Sequence, residues 1–532
     1  MATPEEFGVT YEDLSALTSA NNLLLYNPDG HEKKSHLISI SRICAKVEGY
    51  AIYVAVSNEL SDCLTYQQAL HVLSYYWAWF HPNVMHIYRP LFFRHMLDYE
   101  VHKNQSYGSG VCYSPALLTM ILASGARAVY GLDSPVYKQL DDKAYSLLME
   151  DLRHSTNCLA TVGACMELAL RSVDLDHNAL AWNFSGLAFR TAHDLNLFNR
   201  PQMDSSAEEH EAKTAIKYSL RAFDILVSLY TSRPPTTRLA QEPHVMLDDD
   251  SFDLVQWVDP VAATSTDETK TEDEDFMVTS RPIYLTETFK WQMRVTTMQN
   301  RIIHRLHDNS KRDELEFFKE LSELWSMLPG IFKVSSKKFN AVPHIFTLNM
   351  SYHLCYLLLL VPMFHQMPAL SLSENYVQIA VNTADQVKQC LEAYASIYKT
   401  DLRNFTLTYT TYLYYQLIQS LSEIEHIQQK VSLHIEFAIN VFKTSLLSSA
   451  GGNAALTFVK SNQLHTMPYN PVNLTTPPEF QTSYMLPYQP PQQQPPQQWH
   501  PPPPPPPPPP HQQQQQQQPT QHPPYWQDSY LM

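Results

Sequence analysis

Two consecutive segments carry apolar residues at helical spacing, and they constrain the fold of this chain more than any other feature. In the first, apolar residues recur at three- and four-residue steps: Leu180, Phe184, Leu187, Thr191 and Leu195. The second repeats the spacing: Leu220, Phe223, Val227 and Tyr230. Arg233-Pro234 ends it, because proline disfavours the helical conformation of the residue before it. The pattern predicts a helical hairpin, and Gly186, Ala188 and Ala192 would let another helix approach it closely.

Helical periodicity continues through most of the chain and predicts an all-α fold. Helices are expected over residues 65–80, 115–130, 140–152, 156–173, 177–196, 209–231, 284–308, 313–327, 343–366, 374–398, 401–425 and 428–448. Alternation with a period of two is nearly absent and the chain has only 12 glycines, so we expect no substantial sheet.

The composition divides the chain into three parts. Residues 1–36 are irregular in pattern, residues 37–461 form the predicted multi-helix domain, and residues 462–532 are rich in proline and glutamine. This last part contains a polyproline run, Pro501–Pro510, and a polyglutamine run, Gln512–Gln518. Because neither kind of run builds a packed core, we expect a disordered tail. The tail would serve as a weak contact for coactivators or as a plain spacer.

An acidic segment, residues 241–283, interrupts the predicted helical domain. Residues 272–275 are all acidic and predict a solvated loop, because like charges repel. Residues 248–257 mix aspartates with Phe252, Leu254 and Trp257, a composition also found in acidic activation segments. Two interpretations therefore remain open for this segment: a structural loop and an activation segment.

Charge and cysteine content limit the function classes open to the chain. The formal net charge is −16, which disfavours direct binding to a phosphate backbone. The seven cysteines are scattered, as in a reducing compartment. No apolar leader follows Met1, and the apolar run at residues 354–364 is too short to span a bilayer. We therefore expect a soluble intracellular protein.

The order of residues in the hairpin also follows a known signature. The first helix carries eight positions of it: Ala181, Trp182, Gly186, Leu187, Ala188, Arg190, Asp194 and Leu195. The second helix and its end carry three more: Asp224, Arg233 and Pro234. His81-Pro82 and residues 89–92 precede them, and residues 352–354 follow. In this order, over about residues 70–450, the blocks resemble the middle homology region of fungal zinc-cluster (Zn2Cys6) transcription factors, the fungal-specific transcription factor domain.

The resemblance implies a regulator of transcription that acts in the nucleus. It implies as partners transcription coactivators or repressors, and dimerisation with itself or with an intact family member, with no membrane involved. An all-helical scaffold that binds other proteins is the alternative, although no repeat of 34 to 45 residues is visible in the sequence.

The signature residues are expected to be structural. Asn196 and Ser232 stand where the family carries glycine, and asparagine is a frequent substitute in a left-handed helix cap. Asp224 and Arg233 are candidates for buried partners that fix the hairpin. The side chain of Trp182, with that of Phe184, is expected to fill the core.

Members of this family normally carry a cluster of six cysteines, opening as Cys-x2-Cys-x6-Cys, that holds two zinc ions. The cysteines here do not have this spacing: Cys44, Cys63, Cys112, Cys158, Cys165, Cys355 and Cys390. We therefore expect no cofactor in this chain, zinc only in a missing N-terminal cluster, and only indirect contact with DNA.

Enzyme motifs were weighed against this interpretation, and we expect no catalytic activity. Residues 249–253 fit the Asp-Asp-x-x-Asp pattern of isoprenoid synthases, and Asp142, Ser146 and Glu150 share the spacing of their second magnesium motif. The second motif, however, lies upstream of the first. A metal site at residues 81–95, where three histidines occur, is likewise a remote alternative to packed histidines.

Overall fold

The computed structural model describes residues 46–102, 110–154, 157–175, 177–198, 206–237, 247, 253, 256–257, 281–308, 314–334, 341–366, 372–398 and 405–445. The predicted segments 1–36 and 462–532 lie outside these residues, and so does the acidic run 272–275.

The first half of the described chain consists of helices. Their bounds are α1 over residues 46–55, α2 Tyr66–Tyr75, α3 His81–Val84, α4 Arg89–His102, α5 Pro115–Tyr130, α6 Pro135–Arg153, α7 Leu159–Asp174, α8 Asn178–Asp194 and α9 Ala207–Thr231. Single turns of π-helix, Val56–Leu60 and Tyr76–Phe80, extend α1 and α2.

The second half is also helical. Its bounds are α10 Leu285–Asp308, α11 Glu314–Met327, α12 Pro343–Gln366, α13 Glu374–Tyr398, α14 Phe405–Leu421 and α15 Gln428–Ser445, with 3-10 turns at Gly330–Phe332 and Glu425–Ile427. The predicted all-α class is confirmed within the described residues. One antiparallel pair of two-residue strands, β1 Gln256–Trp257 and β2 Arg281–Pro282, is added to it.

Several helices differ from the sequence prediction, and α1 and α3 lie outside the predicted ranges. The helix expected at 140–152 begins earlier, at Pro135, because proline fits the first turn of a helix, where its missing N–H is not needed. Helix α4 was not predicted, and its Arg89 is held by Glu48, with Nε to Oε1 at 2.8 Å.

Two large hydrophobic cores and one smaller cluster support these helices, and α9 contributes to all three. Phe223 lies in the first core with α2 and α4–α8, whereas Ile225 and Leu229 lie in the second with α10–α15. Close approach of backbones is required where α5 crosses α2: a Cβ at Gly125 would lie 2.6 Å from the Val72 carbonyl oxygen.

Helix α12 is the most apolar element of the described chain. It is the one described helix that is long and apolar enough to cross a membrane, and 94% of its most apolar window is buried among other helices. That burial is the pattern of a core helix, and the helix is longer than the apolar run at residues 354–364.

Part of the acidic segment is anchored in the fold. The buried Asp253 carboxylate accepts hydrogen bonds from the backbone N–H groups of Thr286 and Glu287, at 2.6 and 3.2 Å, and so caps the start of α10. The buried Trp257 donates from Nε1 to the Ala78 carbonyl oxygen at 3.0 Å. These two contacts are structural, as in the loop interpretation of this segment.

Candidate functional site

The signature residue Asp224 lies in the interior, where it organises the turn that follows α9. Its carboxylate accepts the backbone N–H groups of Thr236 and Thr237, at 3.1 and 2.9 Å, and the Thr237 hydroxyl at 2.9 Å. Burial raises the pKa of Asp224, although these hydrogen bonds favour its ionised form. The Thr237 carbonyl then accepts from Asn300 on α10 at 2.8 Å. Asp224 thereby links the end of α9 to α10.

The expected pairing of Asp224 with Arg233 is wrong. Arg233 is exposed, and its guanidinium lies over the ring of Trp182 at 4.7 Å from the ring centre. The backbone amides of the turn already satisfy the Asp224 oxygens. Arg233 is therefore not needed as their partner, and it stacks on Trp182 at the surface. Trp182 is only half-buried, so the expectation that it fills the core is also wrong, whereas Phe184 is buried.

Both positions where the family carries glycine adopt a left-handed backbone here. Asn196 has φ 56° and Ser232 has φ 55°. After α8, the Leu197 N–H donates to the Ala192 carbonyl and the Asn196 N–H to the His193 carbonyl, both at 3.0 Å. This is the Schellman arrangement that satisfies the last carbonyls of a helix. The prediction of a left-handed cap at Asn196 is confirmed.

The buried face of α8 consists largely of small residues, and the large apolar residues flank it. Ala181, Ala188 and Ala192 are fully buried, and α8 packs along α7 through this face. Four positions expected in the buried stripe or at a close approach are only half-buried: Leu180, Leu187, Leu195 and Gly186. The buried face of α8 therefore lies about one residue along the helix from the stripe that the large apolar residues predicted. The reason is that close packing of two helices favours small side chains at the contact.

The remaining signature residues lie at the surface. Arg190, Asp194 and Pro234 are exposed. The sequence allowed an ion pair between Arg190 and Asp194; in the described residues Asp194 instead accepts a hydrogen bond from Asn157 Nδ2 at 2.7 Å. All eleven signature residues are described, and none of them lines the cavity that follows.

A cavity of about 140 Å³ lies where the two hydrophobic cores meet. Its walls come from the end of α2 and from α3, α5, α7, α9, α10, α12, α13 and α14. Most of the lining is apolar and aromatic, with a polar group on the side of α7. A cavity of this size accommodates a small organic molecule.

Glu167 is the centre of the polar group. Its carboxylate accepts hydrogen bonds from the hydroxyl of Tyr76 and from that of Ser124, the latter at 2.8 Å, and His86 Nε2 lies 3.0 Å from Oε1. Burial by itself would raise the pKa of Glu167, but the contacts with His86, Tyr76 and Ser124 outweigh it and the pKa is lowered. Glu167 is thus an ionised carboxylate inside the protein.

Two arginines beside the cavity have acidic partners. Arg127 pairs with Asp174, and Arg171 Nη1 lies 2.7 Å from Asp141 Oδ1. The charged groups that line the cavity are therefore compensated within the protein.

Sequence reasoning missed this cavity. Its walls come from helices that are distant in the chain, and no spacing rule joins them. The one signal available was Glu167, the only acidic residue in the otherwise apolar run from Leu159 to Leu170. Such a residue on a buried helix face needs polar partners from other elements.

Residues 249–252 of the Asp-Asp-x-x-Asp pattern lie outside the described residues, so that motif is not tested here. No group of three or more potential metal ligands lies together in the described residues. His81 Nε2 contacts the Ile87 carbonyl at 2.8 Å, and His95 Nδ1 accepts the Cys112 N–H at 3.0 Å. The side chains at positions 142, 146 and 150 are exposed on α6, away from the cavity.

Part of this helical region matches a known protein domain. Residues 73–332 match the fungal specific transcription factor domain, a range that runs from within α2 to the 3-10 turn after α11. This chain carries a fungal specific transcription factor domain. The signature helices α8 and α9 lie inside the match, whereas α12 to α15 lie beyond it.

Two curated relatives agree with the domain. The Activatory protein CHA4 of Saccharomyces cerevisiae is 24% identical over 223 residues, which cover 38% of this chain and 34% of that protein. The nitrogen assimilation transcription factor nirA of Emericella nidulans is 26% identical over 174 residues, covering 31% of this chain and 19% of the relative. The match thus spans less than two thirds of either relative. No solved structure shows a significant match to the chain.

Proposed function

We propose that this chain regulates transcription, and that it does so when another protein or DNA-binding segment brings it to a promoter. The match of residues 73–332 to a transcription factor domain carries the proposal. The net charge of −16 and the lack of the six-cysteine spacing in these 532 residues support recruitment rather than direct reading of DNA by this stretch.

The partners follow from the same proposal. The chain would act in the nucleus, through coactivators or repressors and through dimerisation with itself or an intact family member. The role is non-catalytic, and these residues hold no zinc of their own. The Pro/Gln-rich segment 462–532 and the acidic segment 241–283 are the proposed contacts for coregulators.

Segment fusions test which part contacts the coregulators. Residues 462–532 and 241–283 are fused separately to a foreign DNA-binding domain and assayed on a reporter gene in a fungal host. We expect at least one of the two to change reporter output, relative to the DNA-binding domain alone. Fusions that are expressed but leave the reporter unchanged would remove both segments as coregulator contacts.

A further inference from the structure

We propose that Cys112 and Cys158 form a reversible disulfide when the protein meets hydrogen peroxide, and that this bond fastens the start of α5 to the start of α7. Both cysteines are free thiols in the structure. They are far apart in the sequence, but Cys112 lies just before α5 and Cys158 is the residue directly before α7. The disulfide would therefore join two helices of the first core at their N-terminal ends.

The backbone holds the two cysteine segments side by side. The Ala160 N–H, in the first turn of α7, donates to the Val111 carbonyl at 2.9 Å, and Val111 is the residue before Cys112. Cys158 has an extended backbone, with φ −148° and ψ 176°, and helices α5 and α7 pack against each other. A disulfide requires Cα atoms no more than about 7 Å apart. A direct backbone hydrogen bond beside both cysteines holds the segments at that scale of separation.

The two sulfur atoms also influence each other. Burial raises the pKa of the Cys112 thiol, and the proximity of Cys158 raises it further, which requires that the two thiols lie close together. Neither thiol is held strongly elsewhere. Cys112 Sγ lies 3.4 Å from the Gly110 carbonyl oxygen, and Cys158 Sγ lies 3.4 Å from Thr161 Oγ1. Thiols are weak donors, so turning these side chains toward each other breaks little.

Exposure gives the two thiols different roles in the oxidation. Cys158 is half-buried and can be reached by peroxide, whereas Cys112 is only 4% exposed. Hydrogen peroxide transfers one oxygen to the Cys158 sulfur, which gives the sulfenic acid and one water. The Cys112 sulfur then bonds to the Cys158 sulfur, the S–O bond breaks, and the hydroxyl group leaves with the Cys112 proton as a second water. Two electrons pass from the thiols to the peroxide, and this second step is the slower one because Cys112 is protonated.

The other described cysteines lack this arrangement. Cys63, Cys165, Cys355 and Cys390 are buried. Burial is the main cause that raises the pKa of each of these four thiols, and no second cysteine contributes. Peroxide at low excess should therefore cross-link Cys112 with Cys158 before it affects these thiols.

The disulfide would close a loop of the chain that contains α5 and α6. Closing a long loop restricts the unfolded chain and so stabilises the folded one. Disulfides inside cells are usually transient and serve to sense oxidants, which fits a bond that forms only under peroxide. Formation of the bond does not depend on the proposed function in transcription.

Peptide mapping of the purified 532-residue chain tests the proposal. The reduced chain is treated with a small excess of hydrogen peroxide, its remaining thiols are blocked with N-ethylmaleimide, and it is digested with trypsin. We expect the peptides 104–127 and 154–171 to appear as one linked species that dithiothreitol separates. A folded, peroxide-treated chain in which both cysteines are blocked or over-oxidised, with no linked species, would overturn the proposal.

The peptide 154–171 also contains Cys165, which supplies a matched control. Cys158→Ala is expected to abolish the linked species, whereas Cys165→Ala retains it; circular dichroism establishes that both variants are folded. A linked species that persists in Cys158→Ala and is lost in Cys165→Ala would overturn the assignment.

Thermal melts test whether the bond fastens the two helices. Oxidation should raise the melting temperature of the parent chain by roughly 5 °C, given the length of the closed loop, and should not raise that of Cys158→Ala. A cross-linked parent chain that melts at the same temperature as the reduced one would contradict the fastening of α5 to α7.

Discussion

At the scale of single residues, the signature positions of this domain are explained by backbone contacts rather than by chemistry on a substrate. Asp224 is the clearest case. Its two carboxylate oxygens accept three hydrogen bonds from the turn that follows α9. A backbone carbonyl of that turn then accepts a hydrogen bond from α10. A carboxylate is required there because it accepts at every position and donates at none.

Replacing Asp224 by asparagine tests this role. The amide turns one acceptor into a donor facing backbone N–H groups, so Asp224→Asn should lower the free energy of unfolding by about 1–3 kcal/mol. Urea denaturation measures the difference. Asp194→Asn on the exposed face of α8 is the control and should change stability by less than about 0.5 kcal/mol. An Asp224→Asn protein as stable as its parent would show that the turn does not depend on the carboxylate.

A second prediction at this scale concerns Ser232. Its φ of 55° is unfavourable for a residue with a Cβ. Ser232→Gly should therefore raise the free energy of unfolding by roughly 1 kcal/mol, and Asn196→Gly by less, because asparagine tolerates this conformation. Thermal melts of the two variants check the order. A lower melting temperature for Ser232→Gly would mean that its side chain contributes more than the strain costs.

At the scale of elements, the sequence predicted what depends on local pattern and failed where distant contacts decide. The bounds of α5, α12 and α13 coincide with the predicted ranges, because apolar spacing and caps define them. The buried face of α8 was placed one residue away, since α7 selects alanines for close packing. The cavity was not foreseen, because residues as far apart as Tyr75 and Leu407 line it.

The contact between Trp182 and Arg233 joins the start of α8 to the end of α9 and gives an element-scale prediction. Trp182 is half-buried, so Trp182→Ala should cost about 2 kcal/mol, less than for a fully buried tryptophan. A double-mutant cycle with Arg233→Ala should give a coupling energy of about 0.5–1 kcal/mol from the cation–π contact. Strictly additive single effects would show that the stacking contributes nothing in solution.

At the scale of the whole molecule, buried neutral histidines make the stability of the domain dependent on pH. Burial lowers the pKa of His81 to about 3, and that of His344 and of His353 to about 4. In the unfolded chain each would take up a proton near pH 6.5. In the folded state these histidines bind a proton only near pH 3–4. The free energy of unfolding should therefore fall as the pH drops from about 6.5 toward 4, because the unfolded chain binds more protons there.

Each of these histidines contributes a loss of roughly 1.4 kcal/mol per pH unit within that window. Urea denaturation at pH 7.5 and pH 5.5 measures the slope. His353→Gln should make it shallower than in the parent chain. An unchanged slope in His353→Gln would mean that His353 does not remain neutral in the folded state.

The central claim, regulation of transcription by a recruited chain, is tested most directly by tethering the whole molecule. The full 532-residue chain is expressed with and without a foreign DNA-binding domain, beside a reporter that carries or lacks the matching binding site. The account predicts that only the fusion changes reporter output, and only where the site is present. An expressed, folded fusion that leaves the reporter at the level of the DNA-binding domain alone would contradict it, and an all-helical protein-binding scaffold would then be the better description.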